Sequence, residues 1–287
     1  MATSNKGNKS ISRVKSTPKS KTEGLFEAYL SQEGTPFEYE PYGVEEKNPD
    51  YRFKKKGKIA LAEIKEIEET PFQREANARL AVSNTAAFSF DPKELYDLLR
   101  RRIDDACKQL KAHQNEVDAC IVILGQKDTG INDVTPDSIF YAMYGDIYLS
   151  IPIDPERGGA VGEATSELKV NGALRKNRMP AREMYSPHPY LSAVGVVEEF
   201  NGRSMYEQKF YNQLLKKHKP PTAKDCLRYL SEEWEKHQDK IPEMYRDPKK
   251  MYYRVRLIAN PLSQKALPRG LFNGRWDQVR YPRVVSQ

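Results

Sequence analysis

The sequence predicts an α/β fold, on three observations. Short aromatic and β-branched runs alternate with polar residues between Phe37 and Ile67, the period-2 pattern of strands with two different faces. Asp91-Pro92-Lys93-Glu94 then opens a long amphipathic segment with an N-cap aspartate, proline at the first helical position and a glutamate three residues after the cap. Finally, Val117 to Leu124 is a stretch of strand length, rich in β-branched residues, apolar throughout from Ala119 and ending at Gly125, as expected of a strand buried on both faces.

In chain order, residues 1–21 carry Lys6, Lys9, Arg13, Lys15, Lys19 and Lys21 among Ser, Thr, Asn and Gly with no acidic residue, a composition that favours a disordered basic tail. It lacks the apolar segment of a secretory signal. From 22 to 287 we expect a single domain, its motif-bearing part at 23–125 and an extension over 126–287. Leu25, Phe26, Tyr29 and Leu30 recur at helical spacing until Gly34 and Pro36 stop the helix. Phe37 and Tyr39 alternate with Glu38 and Glu40 as a first strand. A hairpin follows, with Lys54-Lys55-Lys56-Gly57-Lys58 as its turn.

Pro71 to Val82 is a candidate helix and Ser83 to Phe90 a connection. The capped helix should run to about His113. At 100° per residue, Leu95, Leu98, Leu99, Ala106 and Leu110 form its apolar stripe, and Arg102 and Gln109 fall inside that stripe. Each needs a partner or a wet cavity, because a buried unpaired polar group costs on the order of 1 to 3 kcal/mol. Further strands are expected at Asp146 to Ile153, Leu191 to Val197 and Tyr252 to Ala259, able to widen the same sheet, with a helix beginning near Thr222. Gly158 to Pro187 reads as a long loop. Leu267 to Pro282 mixes arginines, aromatics and turn residues, and docking on the core is its simplest role because Leu271, Phe272 and Trp276 need burial.

Composition narrows the function classes. The net charge of +7, from 47 basic and 40 acidic residues, favours a polyanionic partner wherever the positive charge is clustered. No apolar run reaches the roughly 18 to 20 residues a membrane span requires, so no membrane association is expected. Cys107, Cys120 and Cys226 are odd in number and widely spaced, which fits neither a disulfide framework nor a zinc site. A reducing, cytoplasmic location follows, nuclear in a eukaryote. His113, His188, His218 and His237 show no metal-ligand spacing, and neither a glycine-rich phosphate loop nor a nucleophile elbow is present.

What remains is the hairpin. Alternation places Glu63 and Lys65 on one face of the strand Lys58 to Ile67, and Asp50 on the preceding strand can meet Glu63 across the hairpin. Two carboxylates beside an ammonium supply the hard oxygen ligands a cation such as Mg2+ takes. The same residues are equally consistent with an ordinarily charged surface hairpin. The lysine-rich turn, Lys54, Lys55, Lys56 and Lys58, reads either as a solvated loop or as a contact to a phosphate backbone.

Pro49-Asp50 followed by Glu63-Ile64-Lys65 resembles the PD-(D/E)xK signature of restriction-endonuclease-like nucleases, over about residues 23–125. The resemblance implies an α/β/α sandwich around a mixed central sheet. It also implies an enzyme that hydrolyses phosphodiester bonds with Mg2+, or Mn2+ in its place. By that resemblance Asp50, Glu63 and the backbone carbonyl of Ile64 would hold the cation, and Lys65 would orient or help deprotonate the attacking water. Glu27, with Glu23 as its competitor one turn away, would match the acidic residue many members place on the first helix. Gln109 looks similar to the glutamine some members carry on a core helix. Lys54, Lys55, Lys56, Lys58 and Arg102 are the expected nucleic-acid contacts, with DNA favoured over RNA and a homodimer left open. The competing reading is a nuclease-fold protein without turnover that binds nucleic acid or another protein.

Overall fold

The computed structural model describes residues 20–43, 48–69, 74–76, 78, 79, 82, 92–127, 134–144, 147–150, 165–168, 187–218 and 222–282. Most of the expected tail, most of the candidate helix at 71–82, the cap Asp91 and nearly all of the 158–187 loop lie outside them.

Helix α1 (Lys21–Gln32) starts where the sequence supplies a capping box. Ser20 Oγ accepts from the amide of Glu23 at 3.2 Å, and the Glu23 carboxylate accepts from the amide of Ser20 at 2.7 Å. Two orphan donors of the first turn are thereby satisfied. A third is met from outside the helix, because Glu66 accepts from both the amide and the hydroxyl of Thr22 at 3.0 Å. Gly34, at φ +60°, terminates the helix in a conformation that costs glycine little.

Strands β1 (Phe37–Tyr39), β2 (Tyr51–Lys55) and β3 (Lys58–Ile67) form an antiparallel meander. Helix α2 (Pro92–Lys111) then leads to β4 (Ala119–Gln126), which lies parallel to β3. β4 is buried from Ala119 through Leu124, as its unbroken apolar run requires. Helix α3 (Pro136–Tyr144) and a separate two-stranded hairpin, β5 (Ile147–Ser150) with β6 (Thr165–Leu168), follow. The main sheet is completed by β7 (Leu191–Asn201), β8 (Met251–Ala259) and β9 (Gln278–Arg280), in the order β1-β2-β3-β4-β7-β8-β9. The chain is therefore α/β with a seven-stranded mixed sheet. Two of the three extra strand candidates widen that sheet. The third, around Ile147, pairs with β6 instead, since the position beside β4 is taken by β7.

The faces of the sheet are set by alternation. Tyr51, Phe53, Ala60, Ala62 and Ile64 turn one way, where Phe26 of α1 meets Tyr51 and Phe53 edge-on. Leu61, Ile67, Val122 and Leu124 turn the other way, into a core cluster with Leu95, Leu99, Ile103, Ala106 and Leu110 of α2. The buried stripe of α2 thus runs through Ile103 and Cys107, not through Arg102 and Gln109. Those two are half-buried at its margin, because the apolar arc centres one position later than the leucines alone suggest. The C-terminal segment docks as expected: Leu271 and Phe272 are buried, Phe272 stacks on Tyr29, and Asp277 accepts from Tyr29 Oη at 2.7 Å and from the amide of Val255 at 3.1 Å. Trp276 is only half-buried.

The chain divides into two compact units, Met1–Val197 with Val255–Gln287, and Glu198–Arg254. The second contains α4 (Gly202–Lys217), capped by Asn201, and α5 (Ala223–His237), capped by Thr222. The sequence reading anticipated α5 and missed α4. Tyr206, Phe210, Trp234, His237 and Tyr245 pack face to face or tilted as the core of this unit.

Gly125 marks the closest approach in the first unit. A Cβ there would lie 2.0 Å from Thr22 Oγ1, so only glycine lets the start of α1 reach the ends of β3 and β4. Gly125→Ala should cost about 1 to 3 kcal/mol, the usual scale of overpacking. Combining it with Thr22→Ala should recover part of the loss, as read by denaturant unfolding of the two variants.

Candidate metal centre

β2 and β3 pair Tyr51 with Ala62, so Asp50, one residue earlier, arrives opposite Glu63 on the α2 face. The hairpin register therefore builds the site. The Asp50 amide donates to Glu63 Oε2 at 3.2 Å, and Asp50 Oδ2 accepts from the amide of Ile64 at 2.7 Å. Each residue's backbone thus holds the neighbouring carboxyl group in place. Lys65 Nζ sits 2.6 Å from Glu63 Oε1, with Glu63 1% exposed. Ile64 is tied to the pair through its amide.

Burial is the main reason both carboxyls resist ionisation. Asp50 is pushed up to about 6, by desolvation first and then by the charge of Glu23. Glu63 is pushed up to about 8, by desolvation and by Asp50, with Lys65 opposing. Like charges in one dry site cannot both ionise freely, so the two titrate as a pair that keeps a proton near neutral pH. Such a pair is what a divalent cation would relieve, and Mg2+ commonly binds through one or two carboxylates with waters completing its shell. Among the described residues no group of three or more His, Cys, Asp or Glu side chains stands ready for a metal. A cation here would rest on the pair, on backbone oxygen and on water.

Three further residues lie on the elements around the pair. Glu23, buried at 6% exposed, acts electrostatically on Asp50 from the first turn of α1. Glu27, the sequence choice on that helix, instead accepts from Tyr51 Oη at 2.9 Å. Gln126 pairs in register with Ile67 on the face that carries Glu63 and Lys65, and both atoms of its amide are buried with no hydrogen-bond partner among the described residues. Sequence reasoning passed over Gln126. Its signal was a polar residue closing an otherwise apolar strand, at the carboxyl end where open α/β sheets bind ligands.

The remaining predicted residues scatter. Asp105 of α2 is held below the usual carboxylate range by its hydrogen bond to Lys108, with Lys65 and Arg102 adding to the effect. Lys65 and Arg102 are therefore close enough to share one acidic neighbour. Arg102 Nε is buried without a partner among the described residues. Gln109 lies half-buried at the margin of α2. The lysine turn is divided. Lys55 pairs with Glu33 at 3.0 Å, Lys58 with Asp118 at 3.0 Å, and Lys56 donates to the amide oxygen of Asn273 at 2.6 Å in the orientation that satisfies that side chain. Lys54 is exposed on the α2 face of β2.

Scans of family models and searches of curated proteins and of solved structures return no match to this chain.

The raised carboxyls set a pH dependence. Below the ordinary value of 4.5 both folded and unfolded chains hold the Glu63 proton. Between there and about 8 the folded chain holds a proton the unfolded chain has lost, so stability falls as pH rises across that window. In EDTA, the thermal midpoint should decline from pH 5 to pH 8.5 more steeply for the wild type than for Glu63→Gln, which removes the titration. Scanning fluorimetry of both proteins across that range checks it.

Proposed function

We propose that this chain is a restriction-endonuclease-like, metal-dependent nuclease that hydrolyses phosphodiester bonds, in DNA before RNA. The carrying observation is the pair of Asp50, half-buried, and Glu63, buried, in which the charge of Asp50 raises Glu63 and Lys65 stands beside it. The antiparallel β2-β3 hairpin followed by α2 and a parallel β4 is the order of elements such an enzyme requires. Asp50 and Glu63 would hold Mg2+ or Mn2+, with the Ile64 carbonyl as a further oxygen. A cation bound there lowers the pKa of a water and stabilises charge on the scissile phosphate. A cation held there would take the place of the proton that the pair retains, and Lys65, whose Nζ lies 2.6 Å from Glu63 Oε1, is the side chain that would orient the attacking water. Glu23, already acting on Asp50, is better placed than Glu27 to add negative charge to the site. Gln126, on the face of the sheet that carries Lys65, offers one donor group and one acceptor. Buried free Cys107 and Cys120 agree with a reducing compartment.

One observation favours a binding protein without turnover. Both oxygens of Glu63 are engaged by the chain itself, one by Lys65 and one by the Asp50 amide. That reading keeps nucleic-acid binding and needs no cation.

Incubation with plasmid, linear duplex, single-stranded DNA and RNA, in Mg2+, Mn2+ or EDTA, separates the two. The nuclease reading expects metal-dependent cleavage that Asp50→Ala and Glu63→Gln abolish. Lys65→Ala should slow it by about 10²-fold or more, the usual scale of positioned proton transfer. Equal background cleavage by wild type and Asp50→Ala on every substrate would sink it.

A further inference from the structure

We propose that the α2 face of β1 and β2, beyond the metal centre, is a phosphate-binding groove. It would carry the nucleic-acid strand away from Asp50, with Arg52 and Lys54 each taking one backbone phosphate. The inference deepens the nuclease reading and rests on it for the position of the scissile phosphate.

Alternation along β2 puts Asp50, Arg52 and Lys54 on one face, opposite Glu63, Leu61 and Ile59 of β3. The intervening Tyr51 and Phe53 are buried under α1. Side chains two residues apart on a strand are spaced about 6.8 Å, twice the rise of roughly 3.4 Å per residue. That stride is comparable with the step between neighbouring phosphates of an extended nucleic-acid strand. A phosphate centred between Asp50 and Glu63 therefore has its next neighbours over Arg52 and then over Lys54.

The surface there is concave. Glu38, Arg52, Phe53, Lys54 and Ile59 line a pocket of about 150 Å³. Arg52 is poised within it: its ion pair to Glu38 is a long one, 3.4 Å, and its Nε is buried without a partner among the described residues. A guanidinium with an unmet donor matches an anion that can accept two parallel hydrogen bonds. The other lysines of the turn are held by Glu33, Asn273 and Asp118, which leaves Lys54 as the turn lysine that lines this groove. Acidic groups border it as well. Glu38 touches Arg52, and the charge of Arg52 reaches Tyr42 and Glu116. Their repulsion would restrict the strand to the Arg52-Lys54 track.

The test is binding of labelled single-stranded and duplex oligonucleotides in EDTA, followed by anisotropy across a salt series. The proteins are wild type, Arg52→Gln with Lys54→Gln, Lys58→Gln as a turn control, and Glu38→Gln. Losing two phosphate contacts should lower the slope of log affinity against log salt by about 1.4 on single strands or about 1.8 on duplex, at roughly 0.7 or 0.9 per phosphate. Lys58→Gln should leave the slope unchanged, and Glu38→Gln should tighten binding. Inorganic phosphate as competitor should displace the strand only weakly, since one phosphate reproduces one contact; full displacement at low concentration would point to a free-phosphate site and overturn the strand assignment. An unchanged slope in the double variant, with its thermal midpoint kept, overturns the groove. So does the absence of binding by wild type to any strand. The nuclease reading is judged separately by metal-dependent cleavage. A groove that binds in a protein that never cuts would leave the groove standing and the nuclease reading lost.

Discussion

Two carboxyl groups held side by side in a buried site must be compensated by a proton or a cation. Asp50 and Glu63 are fixed in that position by backbone, each through an amide of the other's strand, and neither can swing to solvent without giving up that hydrogen bond. Desolvating a charge is costly unless it is paired. Lys65 supplies one positive charge, yet Glu63 is still pushed up to about 8. The site therefore keeps an unmet demand for positive charge. The account of function follows from that demand.

The surrounding fold makes the site possible at the rim of a sheet whose core is apolar. α1 closes one face with Phe26, Tyr29 and Leu30, and α2 closes the other with Leu99, Ile103 and Leu110. The start of α1 is pinned to the ends of β3 and β4 by Glu66 and by the absence of a side chain at Gly125. Pinning α1 there brings the negative charge of Glu23 to bear on Asp50. The price of that arrangement is electrostatic, and the cation would repay it. β2 in turn has two faces: aromatic residues toward α1, and Arg52 and Lys54, in line with Asp50 just before the strand, toward the α2 side.

Much of this was legible in the sequence because it depends on local periodicity. The alternation around Lys58 to Ile67 fixes which residues share a face, and a tight Lys-Gly turn fixes the hairpin register that brings Asp50 to Glu63. What was not legible depends on contacts remote in the chain. Glu23 and Glu27 lie one turn apart on the same helix, and the Tyr51 hydroxyl on one and the Ser20 cap on the other tell them apart. Four lysines in a turn read as one basic patch, but Glu33, Asp118 and Asn273 divide them. The strand at Ile147 has good strand chemistry, and its sequence does not say that β6 is its partner. Helix α4 was missed although its signals were present: Asn201 is a sound N-cap, and Tyr206 and Phe210 recur at helical spacing to meet Trp234.

The central claim is that the Asp50 and Glu63 pair exchanges a proton for a divalent cation. Calorimetric titration of Mn2+ into the protein at pH 7, in two buffers of different ionisation enthalpy, measures both the ion bound and the proton released. The account predicts one ion per chain, with proton release close to one that shrinks as the pH is raised above about 8, and loss of binding in Glu63→Gln. Absence of binding in the wild type, or binding that releases no proton and survives Glu63→Gln, would contradict it.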